Sequence, residues 1–135
     1  IELRLTPWRT ILVPFRSDDS ARQFTAGLSL EDFILSCDDP RLRVAACVGA
    51  PACPRATTDV RADATRLASA VKPGDLLHVS GCAKGCAHPR TATLTLTGHD
   101  GRYDLIRDGA PWDTPQQTGL SPADLARGLT KGQAA

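Results

Sequence analysis

Two close pairs of cysteines constrain this chain more than any other feature of its sequence. Cys47 and Cys53 are separated by five residues, and Cys82 and Cys86 by three. A helix-sized segment joins the two pairs, so four thiols occupy two short loops. Four thiolates are the ligand set of a [4Fe-4S] cluster, in which each iron takes one cysteine. The spacing therefore predicts one four-thiolate metal site, and we interpret it as a [4Fe-4S] cluster.

Zinc and unligated cysteines are the alternatives to an iron–sulfur cluster. Zinc sites also use four cysteines, but usually in short knuckles with about two to four intervening residues. The spacing between Cys47 and Cys53 exceeds that range, which favours the cluster. The fifth cysteine, Cys37, fits neither pair and is interpreted as an ordinary thiol. An odd number of cysteines in close pairs speaks against a disulfide framework and predicts a reducing, cytoplasmic compartment.

Small residues surround both pairs. The first loop reads A-C-V-G-A-P-A-C and the second reads G-C-A-K-G-C-A-H-P. Glycine adopts positive φ readily and lets the backbone come close to an inorganic cluster. Each loop follows a predicted buried strand, and a predicted helix begins soon after the first pair. The positive end of that helix dipole would favour an anionic cluster.

Length and charge argue against several functions. The 135 residues suffice for a compact domain, which does not need a metal merely to fold. A formal net charge of +1 gives no basic face for nucleic acid. No apolar run reaches the roughly 18 residues of a membrane span. Because the chain lacks methionine and starts inside a strand-like run, we expect a piece of a longer protein.

The order of patterns along the chain predicts an α+β fold, a single-domain fragment with a mixed sheet flanked by helices. Ile11, Leu12 and Val13 are expected to be buried on both faces of their strand. This strand would be either a second stretch of the first one or a strand after a bulge. The predicted strands and the two hairpin arms lie at 2–5, 8–15, 42–46, 76–79, 91–97 and 102–107. The first predicted helix has its start residues at 17–20 and continues through 21–35, with a possible restart at Ser29. The other predicted helices lie at 57–71 and 121–129.

Turn and cap residues support these assignments. Asp100–Gly101 suits the turn of a hairpin, and Ser121 followed by Asp124 suits a helix start. Thr57 or Thr58 is expected to cap the central helix. The apolar stripe of that helix comprises Val60, Ala64, Leu67, Ala68 and Val71. Residues 110–119 look irregular.

Basic residues near the cysteines are candidate contacts for an anionic substrate. Lys84 lies between two ligands, and Arg55 and Arg90 are the arginines nearest to the pairs in sequence. The alternative for Lys84 is a solvated charge. Arginine suits carboxylates because its planar fork donates two parallel hydrogen bonds. His88 is interpreted either as a structural residue, as a ligand of a second metal, or as a hydrogen-bond donor to the cluster or the substrate. His78 is interpreted as a packing residue.

These motifs resemble the nitrite/sulfite reductase family. The pattern C-x5-C followed by C-x3-C after a strand is similar to the C-terminal half of that family. The longer stretches A-A-C-V-G-A-P-A-C, T-D-V-R-A-D-A-T-R-L-A and L-H-V-S-G-C-A-K-G-C-A-H-P more narrowly resemble the precorrin-3B synthase branch. The segments L-T-P-W-R-T-I-L-V and D-D-P-R-L-R-V fit the same branch. The resemblance covers nearly the whole chain and strengthens the iron–sulfur interpretation.

The resemblance implies two domains and a ligand set. Residues 1–40 would end a ferredoxin-like half-domain, and residues 41–135 would form a nitrite/sulfite reductase-like [4Fe-4S] domain. Cys86 would also bridge to the iron of a siroheme where one is bound. The ligands of the cluster would be Cys47, Cys53, Cys82 and Cys86.

The resemblance also implies a reaction on a tetrapyrrole. The branch is an oxygen-dependent monooxygenase that hydroxylates precorrin-3A and closes a lactone in aerobic cobalamin biosynthesis. It implies a second iron, non-haem or siroheme, with NAD(P)H as the indirect electron source. The N-terminal half of the same enzyme would be a partner of this chain. A siroheme-dependent sulfite or nitrite reductase fragment and a non-catalytic electron-transfer module are the alternatives.

Overall fold

The chain divides into two compact units in the computed structural model, Ile1–Cys37 and Asp38–Ala135. The structure describes residues 2–29 and 33–131, the side chains of 130 and 131 excepted. The sequence-based boundary between domains followed residue 40. Within the described ranges, no helix has the length and apolar character needed to cross a bilayer.

The first unit is a hairpin followed by a helix. Ser17 caps the helix by accepting a hydrogen bond from the N–H of Ser20, and Gly27 ends it. The rings of Phe15 and Phe24 lie 5.3 Å apart. The elements are β1 (Arg4–Leu5), β2 (Ile11–Leu12) and α1 (Asp18–Ala26), with β1 and β2 antiparallel.

Three predictions for the first unit are wrong. The stretch 8–15 does not continue the first strand but returns as its antiparallel partner. Ile11 and Leu12 are 44% and 54% exposed, because a two-stranded hairpin has no further strands to cover it. The helix begins at Asp18, within the predicted start residues, but it ends at Ala26 and not at Leu35. The predicted helix restart at Ser29 includes residues 30–32, which lie outside the described residues.

The second unit is built on a mixed five-stranded sheet. Its order is β3-β4-β5-β6-β7, with the first two pairs parallel and the last two antiparallel. This confirms the predicted α+β class and mixed sheet. The elements are β3 (Val44–Ala46), α2 (Val60–Leu67), β4 (Leu77–Ser80), β5 (Ala92–His99), β6 (Arg102–Gly109), β7 (Gln117–Leu120) and α3 (Pro122–Lys131).

Helices α2 and α3 cover one face of this sheet. Alternate strand residues point to that face, and in register Leu77 and Val79 of β4 oppose Leu94 and Leu96 of β5. The predicted apolar stripe is confirmed, since all five of its residues are buried. The α-helix itself is shorter than the predicted range of 57–71, because it begins at Val60, ends at Leu67 and is followed by a 3₁₀ turn at Ala68–Ala70. Beneath the stripe, the hydroxyl of buried Tyr103 donates to a carboxylate oxygen of Asp63 at 2.9 Å.

The predicted N-cap is wrong for α2 and correct for α3. Asp59, not Thr57 or Thr58, caps α2 by accepting a hydrogen bond from the N–H of Ala62. Thr57 instead accepts from the N–H of Gly101 at 3.0 Å. For α3, the predicted start is confirmed by two reciprocal hydrogen bonds. The N–H of Ser121 donates to a carboxylate oxygen of Asp124 at 3.1 Å, and the N–H of Asp124 donates to the hydroxyl of Ser121 at 3.2 Å.

Strand β7 was not predicted, because 110–119 was expected to be irregular throughout. Its sequence, Q-T-G-L, has neither the β-branched run nor the alternation that marks a strand. It forms because the free edge of β6 accepts a partner there, with Tyr103 opposite Leu120. The predicted hairpin of β5 and β6 about Asp100–Gly101 is confirmed.

His78 lies on the other face of the sheet and is fully buried. Among the described residues, neither ring nitrogen has a hydrogen-bond partner. Its ring meets that of His88 edge-on, with centroids 5.7 Å apart. Burial, and then the charge of His88, lower the pKa of His78 to about 4. The folded protein therefore holds this imidazole neutral at neutral pH.

We predict that the free energy of unfolding falls as the pH is lowered from 6.5 towards about 4. In that window the unfolded chain protonates His78 and the folded chain does not, so protons favour unfolding. Urea unfolding at a series of pH values should show this slope, and His78→Leu should flatten it. His99→Gln, which removes an exposed histidine, should keep the fall. A slope unchanged in the His78→Leu variant would contradict the assignment.

Candidate metal centre

Both cysteine loops leave the same edge of the sheet. Strand β3 ends at Ala46, directly before Cys47, and β4 ends at Ser80, two residues before Cys82. Because β3 and β4 are neighbouring parallel strands, their carboxyl ends lie side by side. The structure thus confirms that each cysteine pair follows a strand, and it brings the starts of the two loops together.

A hydrogen bond joins the two loops at a cysteine sulfur. The backbone N–H of Gly81 donates to Sγ of Cys47, with 3.2 Å between nitrogen and sulfur. The N–H of Cys47 in turn reaches the carbonyl of Val79 at 3.3 Å, which extends the strand pairing into the first loop. Inside that loop, Cys53 N–H donates to Gly49 O at 2.8 Å. An N–H directed at sulfur is the kind of backbone contact that the sulfur ligands of an iron–sulfur cluster receive.

Glycines allow the loops to pack without side chains between them. Gly49 has a φ of +67°, and a Cβ added there would lie 2.7 Å from Cβ and 2.8 Å from N of Val60. Val60 is the first residue of α2, so the start of this helix lies directly against the first loop. At Gly81, an added Cβ would lie 2.6 Å from Cβ of Ala56. Both positions leave no room for a larger residue.

The four predicted ligands differ in exposure. Cys47, Cys53 and Cys82 are half-buried, and Cys86 is exposed. Cys37, which was not assigned as a ligand, is exposed and belongs to the first unit.

No three Cys, His, Asp or Glu side chains converge as ligands of one metal ion within 2–29 and 33–131. A [4Fe-4S] cluster spreads its thiolates, because each one binds a different iron. The donor set, the small residues and the N–H directed at Cys47 suit an anionic cluster of that kind.

A short segment of residues 110–115, here called the strap, packs against the second cysteine loop. A Cβ added at Gly85, whose φ is +67°, would lie 3.0 Å from Cγ of Pro111 and 3.2 Å from Cζ3 of Trp112. The hydroxyl of Thr97 on β5 donates to the carbonyl of Pro111 in the strap at 3.1 Å, and that of Thr95 donates at 2.7 Å to the carbonyl of Gly109, which directly precedes the strap. The strap therefore ties the loop to the sheet.

The predicted anion contacts are dispersed around the loops. The side chains of Lys84, Arg55 and Arg90 are exposed. His88 is half-buried, with Nε2 3.2 Å from the carbonyl of Thr91. Of these four residues, Arg55 lines a cavity that Cys82 also lines. Their proposed roles toward an anion stay predictions.

That cavity has a volume of about 500 Å³ and lies beside the second loop. Thr97, His99, Asp104 and Trp112 also line it. Asp104 lies 3.0 Å from Nε2 of His99, and this hydrogen bond raises the pKa of the imidazole. No role was predicted for Trp112. The available signal was a large aromatic side chain between Pro111 and Asp113, in a stretch with no predicted helix or strand.

Two curated proteins are similar to this chain, whereas no protein-family model matches it. The chain is 34% identical over 112 residues to a precorrin-3B synthase from Sinorhizobium sp., covering 80% of this chain and 24% of that protein. It is 29% identical over 120 residues to the sulfite reductase [NADPH] hemoprotein beta-component 2 of Klebsiella pneumoniae (strain 342), covering 80% of this chain and 21% of that protein.

The chain thus spans less than a quarter of the length of either relative. Both matches agree with the resemblance that the two cysteine motifs indicate, which is thereby confirmed. The chain is similar to one segment of a precorrin-3B synthase and to one segment of a sulfite reductase hemoprotein.

Proposed function

We propose that the second unit binds a [4Fe-4S] cluster through Cys47, Cys53, Cys82 and Cys86. In this proposal it is the cluster-bearing part of an oxidoreductase that acts on a tetrapyrrole in a reducing, cytoplasmic compartment. The observation that supports it most directly is the Gly81 N–H directed at Sγ of Cys47. It joins two cysteine loops that leave neighbouring parallel strands.

The chain's own residues would hold such a cluster by charge and by backbone contacts. The four thiolates supply the ligands, and backbone N–H groups offset their negative charge. The start of α2, which lies against Gly49, adds the positive end of a helix dipole. Lys84, exposed between two of the ligands, adds a positive charge. When bound, a cluster of this kind supplies one-electron transfer.

For the substrate, we propose precorrin-3A, following the similarity to a precorrin-3B synthase. The reaction would insert one atom of O₂ as a hydroxyl group and release the other as water, with two electrons from NAD(P)H. An acetate side chain of the macrocycle would close the lactone as its carboxylate oxygen and the new hydroxyl add across one carbon–carbon double bond, so that the π bond is the bond broken and no group leaves. Carboxylates of the substrate would meet Lys84, Arg55, Arg90 or His88. The proposal also includes a second iron in the same enzyme, and the N-terminal half of that enzyme as the partner of this chain.

A siroheme-dependent reductase is the second candidate, because the other relative is named as a sulfite reductase hemoprotein. In that case Cys86, the exposed cysteine of the second pair, would bridge to the haem iron. The absorption spectrum of the full-length protein distinguishes the two candidates. A strong tetrapyrrole band in the purified enzyme supports the reductase, and its absence together with oxygen-dependent turnover of precorrin-3A supports the synthase.

We predict that serine at Cys47, Cys53, Cys82 or Cys86 abolishes or sharply reduces cluster binding, since one iron loses its thiolate. After anaerobic purification, iron and acid-labile sulfide should be present in equal amounts in the parent protein and depleted in these variants. Cys37→Ser is the matched control and should retain the cluster. Zinc in place of iron and sulfide, or a cluster lost in Cys37→Ser alone, would contradict the ligand assignment.

We predict that Gly49→Ala reduces cluster content more than Gly101→Ala does. Both glycines have positive φ, +67° and +73°, so both substitutions cost backbone strain. Only at Gly49 would the new methyl group also collide with Val60, because a methyl group at Gly101 would have no other atom within 4 Å. Iron and sulfide content, with urea unfolding of the same samples, measures the difference. Equal effects of the two substitutions would show that the contact at Val60 does not matter.

A further inference from the structure

Trp112 packs on the second cysteine loop although it lies 26 positions beyond Cys86 in the sequence. Its Cζ3 atom would be 3.2 Å from a methyl group at Gly85, the residue directly before Cys86. Gly85 itself is buried, whereas Cys86 is exposed. Trp112 is 56% exposed, so one part of the indole covers the loop and the rest faces outward. The indole thus shields the backbone beside the most exposed predicted ligand.

The strap gives this indole a defined position. Thr97 on β5 donates to the carbonyl of buried Pro111 at 3.1 Å. The strap is also closed on itself, since Ala110 N–H donates to a carboxylate oxygen of Asp113 at 2.7 Å. Asp113 N–H returns a bond to Ala110 O at 3.0 Å. These bonds fix the backbone on both sides of Trp112.

We propose that Trp112 is a positioning residue of the metal centre, holding the turn at Gly85–Cys86 and limiting the access of water to the cluster. The proposal rests on the cluster binding proposed above. The turn at Gly85 has positive φ and is closed by a hydrogen bond from His88 N–H to the Gly85 carbonyl at 3.2 Å. The indole, with Pro111, supplies the apolar contact on this turn from outside the loop. The residues that surround a metal site, beyond its ligands, control its solvent access and affinity.

Two properties of a bound cluster should depend on this indole. The first is the rate at which a chelator removes iron, because the ligand turn must open for iron to leave. The second is the reduction potential, which responds to solvent exposure. The reduced cluster carries one more negative charge than the oxidised one. Removal of the indole should admit water to the cluster. Because water stabilises the added charge of the reduced form, the reduction potential should rise.

The experiment compares variants of the chain after anaerobic reconstitution with iron and sulfide. We expect Trp112→Ala to lose its cluster to a chelator about tenfold faster than the parent protein, and to show a higher reduction potential. Trp112→Phe keeps an aromatic ring and should restore both properties towards the parent values. Trp8→Ala removes the other tryptophan, which is 80% exposed in the first unit, and should change neither.

Trp112 also offers a spectroscopic signature. In a Trp8→Phe background it is the remaining tryptophan of the chain. Iron–sulfur clusters absorb in the range of tryptophan emission, so an indole beside the cluster should lose most of its fluorescence when the cluster assembles. Undiminished emission in a protein with full iron and sulfide content would overturn the proposal.

The outcomes separate this proposal from the proposed function. If the parent protein takes up no cluster, the proposed function fails. If Trp112→Ala takes up a cluster and matches the parent in both rate and potential, the role of Trp112 is overturned. If Trp112→Ala takes up none, Thr97→Val decides, because it loosens the strap and keeps the indole. Faster cluster loss in Thr97→Val supports the proposal, and the parent rate overturns it.

Discussion

The parallel pairing of β3 with β4 is the constraint on which the candidate metal centre depends. It places the ends of two strands, and so the two cysteine loops, at one edge of the sheet. The bond from Gly81 N–H to Cys47 Sγ continues that pairing by one step beyond the strands. Without the parallel register, the two thiol pairs would be separated by the helix that connects them. The helices on one face hold this register through the apolar core.

Local patterns predicted those parts of the fold in which local chemistry decides the structure. The stripe of α2, the Asp-Gly turn of the hairpin and the Ser121–Asp124 helix start all follow from residues close together in sequence. Where several residues compete for one role, the prediction failed. Thr57 was expected to cap α2, but its hydroxyl accepts from Gly101, and Asp59 takes the cap. That choice depends on a hairpin tip more than 40 residues away.

In the candidate site, too, some features follow from local sequence and others depend on residues far apart in the chain. Its thiols and glycines could be read from spacing and composition, and so could the strands that lead to them. The strap could not, because Thr97 and Pro111 meet only once β5 lies beside the segment after β6. The exposure of Ile11 and Leu12 was likewise missed, since an apolar run predicts burial without saying whether any neighbour covers it. Long-range packing is the information that a local pattern lacks.

All four candidate ligands lie on one strand–helix–strand unit, and this has a consequence for the unfolded chain. A cluster held from both loops would act as a cross-link between Cys53 and Cys82, the inner members of the pairs. In the chain-entropy treatment of disulfides, closing a loop of about 30 residues lowers the entropy of the unfolded state by the equivalent of about 3–4 kcal/mol. Assembly of the metal centre and resistance of α2 to unfolding would then be thermodynamically linked.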